Sequence, residues 1–474
     1  MKVLLIQPNR VTQKGYFSTQ YPINLGCIAS ALMKDGNEVR MADFNIMDRA
    51  ALPSIISEFK PEMVGLTAMT STIYNARDII SEVKQIDKNI ITVLGGVHAS
   101  ALPVETMEEI KDLDYLVFGE GEVTAMELVK HLESKKSLKD VDGLVYRENG
   151  KIVKNKPHAL IENLSNMPYP ARELLPPEMY TEVQVSRGFS RSEMSIIEMM
   201  TGRGCPNQCI FCAGHINFGF RVRFRSYEHI VGEIKQCMEK YGTNHISFED
   251  DTFTLNKPLV KQVCAFLKEN KLTWNCNTRV NTVDYDLLKL MAESGCKKVA
   301  FGVESGNPEI MRKNKKGITI PEILQAFKDA KRAGIRFIEA DFMLGSHIDE
   351  TKESINDTIK LINKLMPDFL FLGIICPFPG TEIYKMMEDK GFFYETRDWS
   401  QFSVMGDLKR YKRLTYMTPQ ELWELQHKIL KDYYGSPKYM LSQLSKIRSF
   451  GEIKYFIRMG QMFLKDIVLK RKDN

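Results

Sequence analysis

Three of the chain's nine cysteines lie within eight positions, in the run GRGCPNQCIFC from Gly202 to Cys212. No other feature constrains the chain's chemistry as much as this Cys205-x-x-x-Cys209-x-x-Cys212 spacing. Three readings follow. The thiols are simply buried neighbours; or they belong to a zinc site, which wants four ligands and for which His215 is the fourth candidate; or they hold an iron–sulfur cubane. A cubane usually takes four cysteines, so three leave one iron open to another ligand. The remaining six cysteines (Cys27, Cys237, Cys264, Cys276, Cys296 and Cys376) show no paired spacing, and a disulfide framework is not expected in a chain of this size and class.

The surrounding pattern says where such a loop sits. The 474 residues suggest two to four domains at roughly 100–200 residues each. From residue 1 to about 138, buried-type strands alternate with helices: Val3–Ile6, Glu38–Asp43, Met63–Met69, Ile91–Gly96 and Tyr115–Glu122 as strands, Leu25–Lys34 and Tyr74–Ile86 as helices. Five such strands predict a doubly wound parallel sheet. Its ligand edge is the carboxyl ends of the strands, here QPNR, LTAMTS, GGVHAS and FGEGE. Residues 139–192 are Pro-rich and aperiodic, a linker preceded by a small hairpin. From 193 to 384 six more βα units appear, with strands at Ile196–Met200, His245–Phe248, Thr273–Thr278, Lys298–Gly302, Phe337–Met343 and Phe369–Cys376. Six units predict a partial barrel with its active site at the carboxyl ends. The cysteines follow the first of these strands, so an open iron would face the barrel mouth. Residues 385–474 read as mainly helical.

A Cys-x-x-x-Cys-x-x-Cys run after the first strand of a partial barrel resembles the signature of the radical S-adenosylmethionine (SAM) enzymes. The resemblance implies a 4Fe-4S cluster on Cys205, Cys209 and Cys212. Its open iron chelates the amino and carboxylate groups of SAM, and one-electron cleavage yields a 5′-deoxyadenosyl radical that removes hydrogen from an unactivated carbon. It further implies an external electron donor of flavodoxin or ferredoxin type. FEDDTF (Phe248–Phe253) stands where many relatives have a Gly-Gly-Glu segment and resembles an Asp-Asp-x-Phe subgroup; Asp250 is the expected acceptor for the SAM ammonium, against a helix-capping alternative. NTRVN places Arg279 as a candidate for the SAM carboxylate. In FGVESG, Glu304 and Ser305 resemble a ribose-binding pair. DFMLGSH (Asp341–His347) resembles the fifth-strand segment that contacts adenine, and PFPGT (Pro377–Thr381) the segment after the sixth strand.

The first domain resembles the cobalamin-binding domain of one large radical SAM branch, through PINLGCIASALMKDGNEVRMAD, GGVHAS and VFGEGE. The resemblance implies that Gly95, Gly96, Gly119 and Glu120 lie against the corrin, the glycines admitting a close approach. The Asp-x-His-x-x-Gly motif that supplies a cobalt ligand in the methionine-synthase type is absent, and Gln7–Gly26 contain no His. His98 is the one His in the four edge loops and reads as a polar loop residue rather than a ligand. Cobalamin beside a SAM radical site implies methylation of an unactivated carbon in a small molecule or lipid. The rival is a radical cyclase or C–C bond-forming enzyme on a lipid or tetrapyrrole. A tRNA-methylthiolating branch carries three extra cysteines in its first domain, where this chain has only Cys27.

Charge completes the picture. The net charge is +5, but Lys438–Asn474 alone holds nine Lys or Arg against three Asp or Glu, which leaves the rest near −1. The body is therefore not a nucleic-acid binder by charge, which counts against a zinc-stapled RNA- or nucleotide-binding protein. Leu441, Leu444, Ile447, Phe450, Ile453, Ile457 and Phe463 recur at roughly helical spacing within the basic tail. They suit either a cover over the barrel or a peripheral membrane contact. The short apolar run of MKVLLIQPNR reads as a buried strand rather than a signal core, and no run approaches membrane-spanning length, so a cytoplasmic location is expected.

Overall fold

The computed structural model describes residues 1–10, 20–180, 195–394, 397–403, 411–444, 446, 453 and 457. In the first domain the apolar runs become strands buried on both faces: β1 (Lys2–Gln7), β2 (Glu38–Asp43), β3 (Met63–Thr67), β4 (Ile91–Gly95) and β5 (Tyr115–Val117). They are parallel in the order β2-β1-β3-β4-β5. Helices Ile23–Lys34 and Gly121–Ser134 cover one face, and Leu52–Phe59 and Ile73–Ile86 the other. The order reverses between β1 and β3, so the crevice of this sheet opens at their carboxyl ends.

A hairpin of β6 (Leu144–Glu148) and β7 (Lys151–Lys154) adds two antiparallel strands beside β5. The sheet therefore has seven strands and runs to Lys154, past the boundary at 138 that the sequence suggests.

The second unit begins with β8 (Ile196–Met199) and a two-residue ribbon, β9 (Gly202–Arg203) with β10 (Arg223–Phe224). Next come β11 (His245–Phe248), β12 (Thr273–Thr278), β13 (Cys296–Glu304), β14 (Phe337–Leu344) and β15 (Phe369–Ile374). Six parallel strands stand in the order β15-β14-β13-β12-β11-β8, a barrel left open between β15 and β8. Along β14 the buried residues Ile338, Ala340, Phe342 and Leu344 pack outward, while Glu339, Asp341 and Met343 alternate to the lumen. The free edge of β15 is covered by helix Pro419–Tyr434. The Leu370 N–H donates to Tyr434 Oη at 2.9 Å, and Gln426 Nε2 donates to the Leu372 carbonyl at 2.5 Å.

Two further contacts bind the units together. In the linker, Arg172 pairs at 2.5 Å with Glu233 of the barrel unit, a buried carboxylate that Arg225 of the same unit also holds at 2.5 Å, and Tyr180 Oη donates to Asp43 of β2 at 3.1 Å. After the barrel, residues 397–403 return to the first domain: the Trp399 ring meets His98 edge-on at 5.2 Å, and its Nε1 donates to Glu109. Of the apolar series expected in the tail, Ile447, Phe450 and Phe463 lie outside the described residues, while Leu441, Leu444, Ile453 and Ile457 are exposed.

Candidate active site

The loop that leaves β8 carries the cysteines, and its shape is fixed before any ligand is considered. Asp250, just past β11, accepts from the Thr201 N–H with both oxygens at 3.0 Å, from Thr201 Oγ1 at 2.7 Å and from the Gly202 N–H at 2.8 Å. Burial pushes its carboxyl up to about 6, against the pull of these donors. Gly204 has φ +89°, and a Cβ there would run into the Arg221 carbonyl, so glycine is required between ribbon and trio. Ile210 is buried; its N–H donates to the Asn314 carbonyl and its own carbonyl accepts from the Ile383 N–H. The loop is thus clamped between the ends of β13 and β15.

All three thiols are free and at least partly exposed. Each sulfur has a nitrogen donor nearby: Asn207 Nδ2 at 3.3 Å from Cys205 Sγ, Arg279 Nη1 at 3.9 Å from Cys209 Sγ, and the Gly214 N–H at 3.4 Å from Cys212 Sγ. Burial pushes the Cys212 thiol up to about 11. The Gly214 N–H opposes that rise, while Asp251, Cys209 and Cys205 add to it. Binding a cationic metal group would reverse this balance by favouring the thiolates. Among the described residues no group of three or more His, Cys, Asp or Glu is drawn together tightly enough for a single metal ion. His215 is turned to the Cys212 carbonyl through Nδ1 at 2.9 Å and stacks on Phe220. Three thiols on one eight-residue stretch, each sulfur within reach of a nitrogen donor, fit a cubane held on one side.

The other sequence candidates sort themselves around this trio. Arg279 is buried at the end of β12, with one guanidinium nitrogen on the Lys316 carbonyl and another toward Cys209. Glu304 stands at a bulge in β13 with φ +73°, a left-handed conformation costly for a non-glycine, and pairs with Lys316 Nζ at 2.9 Å. Ser305 is fully buried, with its hydroxyl 3.4 Å from that of Thr358 on helix Lys352–Leu365. Asp250 braces the loop, its oxygens accepting from Thr201 and Gly202. The sequence reading missed its neighbour Asp251. That side chain is exposed, and a Cβ on Gly214 would lie 3.6 Å from both of its oxygens and 3.5 Å from Cys212 Sγ. Asp341, beside Glu304, lines the lumen with Oδ1 buried and unpartnered; burial, then Glu339 and Glu304, raise its carboxyl well above the usual range.

The first domain presents its carboxyl edge to the same space. Helix Val97–Ala101 packs on helix His215–Phe218, and a Cβ on Gly380 of PFPGT would meet both Ile216 and Ala101. At that edge Gly119 has φ +82° and open space where a Cβ would stand. Asn9 Oδ1 and Arg10 Nε, at the end of β1, are buried without partners. These features fit a bulky polar-rimmed group. Gly95 makes only an ordinary contact with Val117. Gly96, at φ +98°, is needed for another reason, since a Cβ would lie 2.6–2.7 Å from Ala68 and Thr67. Glu120 is buried in ion pairs with Arg203 and Arg223. His98 is buried under Trp399 with Nδ1 unpartnered, and burial holds it down to about 4.

The sequence matches the Radical SAM superfamily over residues 199–362 and the B12 binding domain over residues 16–129. The chain belongs to the radical SAM enzymes that carry a cobalamin-binding domain; a 4Fe-4S cluster, SAM and cobalamin are its cofactors. It is 33% identical to an uncharacterized methyltransferase of Pyrococcus horikoshii over 95% of this chain and 96% of that protein. It is 25% identical to the anaerobic magnesium-protoporphyrin IX monomethyl ester cyclase of Cereibacter sphaeroides, over 88% of this chain and 68% of that protein. The fold is shared with TsrM of Kitasatospora setae, a radical SAM methyltransferase solved with cobalamin and a 4Fe-4S cluster. The TM-score is 0.69 at 19% identity, over 92% of this chain and 89% of that one. It is also shared with OxsB, a cobalamin-dependent SAM radical enzyme, at TM-score 0.75 and 17% identity, over 99% and 72%. Among the described residues no helix is long and apolar enough to cross a membrane.

Proposed function

We propose that this enzyme methylates an unactivated carbon of a small molecule, in the cytoplasm, with electrons from a flavodoxin- or ferredoxin-type donor. One observation carries the reading: the segments after β4 and β5 of the first sheet hold the stretch that carries the thiol trio from both sides, Val97–Ala101 packing on His215–Phe218 and Glu120 and Glu122 pairing with Arg203. When bound, the cluster and SAM supply one-electron radical chemistry, and cobalamin supplies a methyl carrier. The chain's own residues hold and orient. Cys205, Cys209 and Cys212 ligate the cluster, and the donors beside their sulfurs steady its charge. Arg279 Nη1 meets the SAM carboxylate and Asp251 its ammonium, while Glu304 accepts from the ribose hydroxyls. Gly119, Asn9 and Arg10 line the corrin. Asp341, with its buried and unpartnered Oδ1, makes the lumen polar, which favours a substrate bearing hydroxyl or amine groups over a wholly apolar one.

The relation to the cyclase supports a second reading, radical ring closure, which leaves the substrate without an added methyl group. The deciding experiment is anaerobic reconstitution with iron, sulfide and cobalamin. About four irons and one cobalt per chain, with SAM-derived methyl label appearing in a product, is the expected result. Four irons without cobalt would overturn the methyl-carrier mechanism and favour ring closure.

A further inference from the structure

The ion pairs of Glu120 form a joint between the two halves of the site. Glu120 and Glu122 follow β5, at the cobalamin edge of the first sheet. Arg203 lies two residues before Cys205, and Arg223 is its partner across the β9–β10 ribbon. Arg203 Nη1 is 2.9 Å from Glu120 Oε1, and Nη2 is 2.5 Å from Glu122 Oε1. Arg223 Nη1 is 2.6 Å from Glu120 Oε2 and also donates to the Ile161 carbonyl at 2.9 Å. The Ile161 N–H closes the ring onto Glu120 Oε2 at 2.8 Å. Two carboxylates and two guanidiniums thus balance, with side chains only 2–13% exposed. Arg203 also lies over the Phe218 ring at 5.4 Å, in the helix that follows the cysteines.

A fork of this kind fixes direction as well as distance, because each guanidinium is planar and held at two ends. Screening by salt is weak where solvent is excluded. Arg203 also lines a small cavity with Ile23, Cys27 and Met199.

We propose that Glu122, with Glu120, is a positioning clasp that registers the cobalamin edge over the cluster loop, resting on the function proposed above. SAM would undergo two reactions here that differ in their need for this register. Methyl transfer to cobalamin spans both halves: the S–CH3 bond breaks, a Co–C bond forms with the electron pair of cob(I)alamin, and S-adenosylhomocysteine leaves. Reductive cleavage lies within the barrel. One electron from a chemical reductant passes through the cluster, the S–C5′ bond breaks, and methionine and 5′-deoxyadenosine form with a hydrogen atom from the medium. The clasp matters to the first reaction and not to the second.

The test compares the full-length reconstituted enzyme with Glu122→Gln, which removes one of the two negative charges and weakens the Arg203 Nη2 arm of the fork while Nη1 stays on Glu120. Methyl transfer from SAM to added cobalamin is expected to fall at least about tenfold, with iron content unchanged and 5′-deoxyadenosine formation within about twofold. Hydrogen exchange on the cofactor-free chain is expected to rise together at 118–124 and 202–224, since one joint protects both. Parallel loss of both SAM reactions would reduce the pair to fold support, and no loss would remove its role; either result overturns the clasp. If the unaltered enzyme takes up no cobalamin, the proposed function fails, and hydrogen exchange alone decides the clasp: a rise confined to 118–124 overturns it. Should Glu122→Gln not hold iron, Glu122→Asp, which keeps the charge and shortens the reach, carries the same measurements.

Discussion

Asp250→Asn separates the two roles that an acidic residue at this place can have. In the structure its oxygens meet three donors on Thr201 and Gly202 and hold the exit of β8 toward the cysteines. Burial lifts the carboxyl from 3.8 to about 6, so at pH 7 the ionised form destabilises the native state by about 3 kcal/mol relative to an ordinary aspartate. The sign follows from proton binding. Between the two values the folded chain holds a proton the unfolded chain has released, so stability falls as pH rises through that window and levels off above 6. An asparagine removes that cost and keeps one acceptor oxygen for the three donors, losing about 1–3 kcal/mol of hydrogen bonding. The two effects nearly cancel at pH 7 and leave the variant less stable at pH 5. Calorimetry of the cofactor-free chain should show the variant gaining about 1 kcal/mol on the unaltered protein between pH 5 and 7. Iron uptake should be retained, and SAM affinity should stay within about threefold, because the strut makes no contact with SAM. A tenfold or greater loss of SAM affinity with full iron content would refute this and return Asp250 to the role the sequence suggested.

Three further outcomes are expected. Replacing any of Cys205, Cys209 or Cys212 by Ser should abolish stable iron binding, read by metal analysis, while leaving thermal unfolding of the cofactor-free chain within about 1 kcal/mol, since none of the three is in the core. Gly204→Ala should destabilise the chain by about 1–3 kcal/mol and impair reconstitution, because φ +89° and the Arg221 carbonyl leave no room for a Cβ. Glu350, buried beneath Gly345 and Ser346, is pushed by burial up to about 7. Its contribution to stability should therefore decline as pH rises from about 4.5 to 7, and Glu350→Gln should flatten that part of the pH–stability curve.

Sequence alone carried the parts of this protein that are local. The strands at Glu38–Asp43, His245–Phe248 and Thr273–Thr278 were legible to the residue, because each is a short segment set off by turns from the helical patterns beside it. The cysteine trio was legible because its members are close in the chain. What depends on direction was not. Asp250 and Asp251 are neighbours of the same type, yet one points under the loop and the other toward the thiols. Ser305 follows Glu304 but faces the opposite side. The β9–β10 ribbon is two residues long per strand and gives no periodic signal. The Glu122–Arg203 pair spans 81 positions, beyond any local pattern.

The return of residues 397–403 to the first domain has a topological consequence. The polypeptide enters the barrel unit from the first domain and, through Trp399 on His98, comes back to it on the far side. The two halves therefore form a closed circuit joined at both ends of the barrel, rather than beads on a single string. Cutting the peptide chain between the sheets would leave the fragments assembled. Any widening of the gap, to admit or release a large cofactor, must swing about one joint while the other lets go.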